Sequence, residues 1–77
     1  MATSLNNLAE LYREQGKYDQ AEPLYKRALK IFENALPANH PNIATTLENM
    51  GQLYKDMGKD NEAQKCLQRA KETRAGK

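Results

Sequence analysis

The fold follows from one stretch, ATSLNNLA at residues 2–9, which returns as ATTLENMG at residues 44–51. The second copy begins at Ala44 where the first begins at Ala2, so the sequence repeats with a period of 42 residues. The register continues without a gap to the end of the chain. Further matched pairs are Tyr12 and Tyr54, Gly16 and Gly58, Ala21 and Ala63, and Ala28 and Ala70. Self-similarity at such a period indicates a repeat architecture, here one full unit and most of a second.

Each unit has the hydrophobic pattern of two helices. Apolar residues recur at steps of three and four along the first helix, which gives one apolar stripe. The members of this stripe are Leu5, Leu8, Ala9, Leu11 and Tyr12. No segment alternates as a strand would, so we predict an all-α fold of two stacked helix–turn–helix hairpins in a single domain over residues 1–77. The predicted bounds are unit 1 at 1–36 with helices at about 2–15 and 18–36, a linker at 37–40, and unit 2 at 41–75 with helices at about 41–57 and 60–75.

Several residues indicate where the helices begin and how they pack. Asp19 suits the first turn of the second helix, where its carboxylate would cap or complement the positive helix end. Pro41 suits the first position of the third helix, with Asn39 or His40 as its cap. Gly51 and the alanines of the stripes allow two helix backbones to approach closely. Bulky side chains that we expect to fill the wedges between helices are Tyr12, Tyr25 and Tyr54.

The same residues resemble the tetratricopeptide repeat, which carries a large residue, Leu, a small residue, Tyr, Ala, an aromatic residue and Ala along each unit. The matching series are Leu5, Leu8, Ala9, Tyr12, Ala21, Tyr25, Ala28 and Leu47, Met50, Gly51, Tyr54, Ala63, Leu67, Ala70. The period exceeds the usual one of about 34 residues, and the His40-Pro41 linker with the LNNLA start is similar to the kinesin light chain subgroup. The resemblance implies a right-handed superhelical array whose concave face, built from the first helices, binds a peptide or a partner protein.

Polar side chains that lie off the apolar stripes are the candidates for peptide binding. They are Asn6, Asn7, Glu10, Arg13, Asn49, Gln52 and Lys55. Asn7 and Asn49 occupy the same register, and an amide can both donate to and accept from a peptide backbone. Arg13 and Lys55 also share a register and can pair with acidic side chains. The alternative is a solvated helix face without a ligand. Two units offer a small groove, so we expect any affinity to be micromolar or weaker.

The two ends of the predicted array differ. The packing face of the first helix is expected to lie open, and its residues are Leu5, Leu8 and Leu11. On the last helix, Lys71 and Arg74 stand where the second helix has Leu29 and Phe32, which is typical of the polar outer face of a terminal repeat. About three repeats are usually needed for independent stability. A structural fragment that forms a homo-oligomer through the open face is therefore the alternative function.

The composition argues against several other classes of function. The net charge of +2 comes from mixed charges, which is too weak for a nucleic-acid-binding surface. No apolar run reaches the roughly 20 residues of a membrane span, and polar residues interrupt any signal-peptide core near the start. Cys66 is the only cysteine and His40 the only histidine, so we expect no metal site. With no catalytic constellation or phosphate loop in the sequence, we predict no enzyme, no cofactor and a cytoplasmic location.

Overall fold

The computed structural model describes residues 2–37 and 39–75, and this part of the chain forms helices joined by short turns. Helix α1 spans Ala2–Glu14, α2 spans Tyr18–Ala35, α3 spans Pro41–Asp56 and α4 spans Asp60–Arg74. Helix α1 packs against α2 and α3 packs against α4, which gives two hairpins, and α2 packs against α3 to join them. The described residues contain no strand. The predicted all-α fold is confirmed, and each helix ends one residue before its predicted end.

Glycines form the two tight turns within the hairpins. Gly16 and Gly58 have φ angles of 77° and 79°, in the left-handed region that residues with a Cβ rarely adopt. The chain then turns back so that the backbone N–H of Lys17 donates to the carbonyl oxygen of Tyr12 at 2.8 Å. The equivalent bond after Gly58 also measures 2.8 Å. The same turn therefore closes both hairpins, in register with the repeat.

Helix α3 has a side-chain cap, whereas α2 and α4 begin without one. The Nδ1 atom of His40 accepts a hydrogen bond from the backbone N–H of Asn42 at 3.1 Å, with Pro41 as the first residue of α3. This is the predicted cap. Helix α2 begins after Lys17 without a side-chain cap, so of the two roles expected for Asp19 it has the second. Asp19 lies inside the first turn, where its negative charge complements the positive helix end.

Small residues hold the two helices of each hairpin close together. The alanines with 0–1% exposure are Ala9, Ala21, Ala28, Ala44, Ala63 and Ala70. The closest approach is at Gly51, because a Cβ atom placed there would lie 2.7 Å from Cγ of Leu67. It would also lie 3.3 Å from the carbonyl oxygen of Ala63. The α3–α4 hairpin therefore has no room for a side chain at this position.

Helix α3 contributes more buried residues to the core than any other helix. It packs against α2 on one side and α4 on the other. Its buried residues are Ile43, Ala44, Thr46, Leu47, Met50, Gly51, Leu53 and Tyr54. Helix α1 buries only Ala2 and Ala9 fully. The first helices of the two units therefore have the same sequence pattern but different surroundings, and this difference determines which surfaces remain open.

Candidate functional site

A shallow depression lies between α1 and α3. It encloses about 280 Å³. Uncharged polar side chains of the two helices make up most of its lining, together with one aromatic residue from α2. The lining residues are Thr3, Asn6, Asn7, Glu10, Phe32, Asn42, Thr45 and Asn49. Because Glu10 is the only ionisable side chain among them, the depression offers hydrogen-bonding groups and a single negative charge.

Asn6 links α1 to α3 across the floor of the depression. Its Nδ2 atom donates to Oγ1 of Thr46 at 2.9 Å. The Thr46 hydroxyl in turn donates to the backbone carbonyl oxygen of Asn42, also at 2.9 Å. The Oδ1 atom of Asn6 is buried and has no hydrogen-bond partner among residues 2–37 and 39–75. The structure thus places the Asn6 amide between the helices, where it fixes their spacing.

Arg13 forms the second connection between α1 and α3. Its Nη1 atom donates to Oδ2 of Asp56 at 3.0 Å, and both side chains are less than a third exposed. Burial opposes the charged form, but the hydrogen bond with Asp56 and the nearby Tyr25 hydroxyl raise the pKa of Arg13. Arg13 therefore neutralises a carboxylate of its own chain. It lies outside the lining of the depression, as do the exposed residues Gln52 and Lys55.

Three of the predicted binding residues line the depression with polar side chains that are not engaged in hydrogen bonds among the described residues. Asn7 and Glu10 are exposed, and Asn49 is half-buried. None of the three makes a side-chain hydrogen bond within the part of the chain that the structure describes. Asn7 and Asn49 face the same depression from two different helices. They are the groups best placed to bind an extended backbone.

The sequence did not single out Asn42 or Phe32 as lining residues. Phe32 belongs to the apolar stripe of α2 and is 8% exposed. The sequence pattern therefore predicts a core residue and does not indicate that Phe32 also lines the depression. Asn42 lies three residues before Thr45 and seven before Asn49. This spacing puts all three side chains on one face of α3. The spacing was thus available in the sequence, since all three residues lie inside the helix predicted at about 41–57.

Comparison of the sequence with models of known protein families agrees with the helical-hairpin fold. The tetratricopeptide repeat model matches residues 1–75. The chain belongs to the tetratricopeptide repeat family. Tetratricopeptide repeats generally mediate protein–protein interactions as a non-catalytic scaffold. Within the residues that the structure describes, no helix has both the length and the apolar character needed to cross a membrane.

A second surface feature of this tetratricopeptide repeat pair is an apolar strip on the outer side of α1. Leu8 is 41% exposed and Leu11 is 48% exposed, while Leu5 is half-buried against the core. Leu5 and Leu8 line a depression of about 310 Å³ with Ser4 and with Arg27 of α2. We call Leu5, Leu8, Leu11 and Arg27 the α1 face. Self-association through its leucines stays a prediction.

A hydrogen bond between α2 and α3 joins the two tetratricopeptide units. The Tyr54 hydroxyl donates to Oε2 of Glu22 at 2.9 Å. Burial opposes ionisation of Glu22, but the Tyr54 hydroxyl and the charges of Lys26 and Lys59 lower the pKa of its carboxyl. Burial and the Glu22 carboxylate raise the pKa of Tyr54. Both shifts favour the pair in which the carboxylate is charged and the phenol is neutral.

We expect Tyr54→Phe to destabilise the chain in a pH-dependent way. Because the folded state lowers the pKa of Glu22, its contribution is complete above the ordinary value of 4.5 and is lost as the pH falls through the folded-state pKa. Loss of the hydroxyl should lower the free energy of unfolding by about 1 kcal/mol near neutral pH, and by much less at about pH 3. Urea unfolding at both pH values measures this difference.

Tyr12→Phe is the matched control for this prediction. Tyr12 occupies the register of Tyr54, but its hydroxyl has no hydrogen bond to any residue in 2–37 or 39–75. Its removal should change stability little at either pH. If both variants lost the same free energy of unfolding at both pH values, the hydrogen bond to the Glu22 carboxylate would not be the cause of the loss.

Proposed function

We propose that this tetratricopeptide repeat pair binds an extended segment of a partner protein in the depression between α1 and α3. The observation that carries the proposal is the pair of uncommitted amides, Asn7 and Asn49, which line one depression from two helices. Each amide can donate to a peptide carbonyl and accept from a peptide N–H. An extended backbone presents both groups along its length, so two amides can hold it without reading its side chains.

Glu10 gives the proposed site a preference among peptides. It is exposed, and it carries the only formal charge in the lining. The neighbouring acid Glu48 accepts two hydrogen bonds from Arg74, at 2.7 and 2.8 Å, which lower the pKa of Glu48 and compensate its charge. A Lys or Arg side chain on the peptide would therefore pair with Glu10, whereas an acidic residue at that point would be repelled.

The proposal is tested with peptides selected from a random display library against the full chain. Binding of a selected peptide is measured by isothermal titration calorimetry, and we expect a dissociation constant that is micromolar or weaker for so small a groove. The double variant Asn7→Ala/Asn49→Ala should bind the same peptide about tenfold more weakly, since it loses several hydrogen bonds of modest net value. Glu10→Gln should weaken only those peptides that carry a basic residue.

Gln64→Ala is the control, because Gln64 is exposed on α4 and lies outside the depression. It should leave the affinity unchanged. Selected peptides that bind the Asn7→Ala/Asn49→Ala variant as tightly as the original chain would place the site elsewhere. Circular dichroism of each variant ensures that a loss of binding is not a loss of fold.

Three finer assignments rest wholly or partly on the sequence. The 42-residue period and the His40-Pro41 linker support membership of a long, kinesin light chain-like subgroup. The single cysteine supports a cytoplasmic setting. The mixed charge and the small polar groove support a protein or peptide partner rather than a nucleic acid or a membrane.

A further inference from the structure

Two positions one turn apart carry uncompensated negative charge on α1 but not on α3. They are Glu10 and Glu14, and one period later the same positions hold Gln52 and Asp56. Gln52 is uncharged, and Asp56 is neutralised by Arg13, whose Nη1 atom lies 3.0 Å from its Oδ2 atom. Glu10 and Glu14 are exposed and form no ion pair with any residue that the structure describes. This pair of free carboxylates therefore belongs to the first unit alone.

Both carboxylates lie near one buried hydroxyl, that of Tyr25. Residues four apart on a helix share a face, so Glu14 lies one turn beyond the depression that Glu10 lines. Burial raises the pKa of Tyr25, Arg13 opposes this effect, and the charges of Glu10 and Glu14 raise the pKa further. The side chain of Tyr25 therefore reaches from α2 to the side of α1 that carries both acids, and its hydroxyl is neutral at physiological pH.

The Tyr25 hydroxyl has no hydrogen-bond partner within residues 2–37 and 39–75. Tyr25 is 0% exposed, and its oxygen is buried. The Nε atom of Arg13, close by, is also buried without a partner. Buried polar groups are rarely left unpaired, because each unpaired group costs free energy. A ligand that brings a hydrogen-bond donor to this hydroxyl would recover that cost.

The charges around the hydroxyl favour a cation. Glu10, Glu14 and Asp56 supply three negative charges here, and Arg13 supplies one positive charge. Glu14 is also the last residue of α1, where the helix dipole adds partial negative charge. A positively charged ligand group is therefore attracted to this place, and an anionic group is repelled.

We propose that Glu10, Glu14 and the Tyr25 hydroxyl bind one arginine side chain of a partner segment. The inference rests on the proposed function, because the segment in the depression carries this arginine. A guanidinium has five N–H donors in a planar fork, so it can donate to both carboxylates and to the phenol oxygen at once. A lysine ammonium is a compact point charge that matches this arrangement less fully. Because the hydroxyl is closed to water in the free chain, the arginine displaces neighbouring side chains as it binds.

The test uses three peptides that differ only at their central residue. They are acetyl-Gly-Ser-Arg-Ser-Gly-amide and the same peptide with lysine or with citrulline, the uncharged isostere of arginine. NMR titration of the isotope-labelled full chain measures each dissociation constant. The arginine peptide should bind about threefold more tightly than the lysine peptide, and at least about tenfold more tightly than the citrulline peptide. Equal binding of the three peptides, or no saturable binding of the arginine peptide, would overturn the proposal.

Two variants of the chain test the carboxylate and the hydroxyl separately. Glu14→Gln should weaken the arginine peptide about threefold and the citrulline peptide less. Tyr25→Phe should remove the preference for arginine over lysine, because the phenol oxygen is the acceptor that the guanidinium fork reaches. Loss of an unpaired hydroxyl should change the stability of the chain little, and circular dichroism checks the fold. A preference for arginine that survives either variant unchanged would contradict the assigned site.

Two further variants separate this subsite from the depression. Glu72→Gln removes the same charge from an exposed position on α4 and should leave all three affinities unchanged. The double variant Asn7→Ala/Asn49→Ala should weaken all three peptides alike. If it does so while Glu14→Gln and Tyr25→Phe have no effect, the arginine subsite fails and the proposed function stands. If it has no effect while Glu14→Gln still weakens the arginine peptide, the subsite stands and the depression is not where the backbone binds.

Discussion

Replacing Leu53 with Ala is expected to lower the free energy of unfolding by about 3 kcal/mol. Leu53 is 0% exposed and packs in the core cluster with Tyr25, Met50 and Tyr54. Truncation removes buried methyl groups and leaves a cavity that the surrounding helices fill only partly. A core this small rarely supplies more than about 3–5 kcal/mol. The variant should therefore unfold about 15 °C lower, with a sizeable unfolded fraction at room temperature.

Leu11→Ala is the control, because it makes the same change at the same register of the first unit. Leu11 is 48% exposed, so truncation removes little buried surface and should cost less than about 1 kcal/mol. Urea unfolding followed by circular dichroism measures both variants. A cost at Leu11 equal to that at Leu53 would mean that the α1 face is covered in solution, and sedimentation of the unmodified chain would then show what covers it.

Replacing Gly51 with Leu should have a comparable effect through crowding. A Cβ atom at this position would already lie 2.7 Å from Cγ of Leu67, so a full side chain would have to push α3 and α4 apart. We expect a loss of about 3 kcal/mol, at the upper end for an overpacked core. The better helix propensity of Leu over Gly recovers only about 0.7 kcal/mol of this. Thermal unfolding monitored by circular dichroism measures the net loss.

The control for Gly51→Leu is Gln52→Leu, which adds an apolar side chain one residue further along the same helix. Gln52 is exposed, so this variant should keep its stability within about 0.5 kcal/mol. If both variants proved equally stable, the hairpin would have to accommodate the extra volume by separating its helices. The close approach at Gly51 would then not be what sets the spacing of α3 and α4.

The fold could be predicted from the sequence because its determinants are local and occur twice. Gly16 and Gly58 end helices by backbone conformation alone, and the cap by His40 follows from the adjacent Pro41. Asp19 shows the limit of such reasoning. Its residue type suits either a cap or the first turn, and only the structure shows that its side chain makes no cap hydrogen bond.

The candidate site could be predicted less fully because it depends on contacts between units. Asn6 and Arg13 have the residue types of peptide-binding groups. The structure shows them engaged with Thr46 and Asp56, more than thirty positions away in the sequence. A helical pattern shows which side a residue faces, but it does not show which partner lies opposite. The role of Phe32 in the depression could not be predicted for a related reason. Its apolar pattern indicates burial in the core, and the pattern does not show that a core residue also borders a depression.

The central place of α3 has a consequence for how the chain folds. In a one-dimensional array, stability is a sum of terms for each unit and terms for each boundary between units. Here α3 belongs to the second unit and also forms most of the boundary with the first through α2. The boundary between the units contributes to stability only when α3 is formed. Helix α3 in turn buries its apolar residues only when α2 and α4 are both packed against it. The two units are therefore coupled strongly enough to fold and unfold in one cooperative transition.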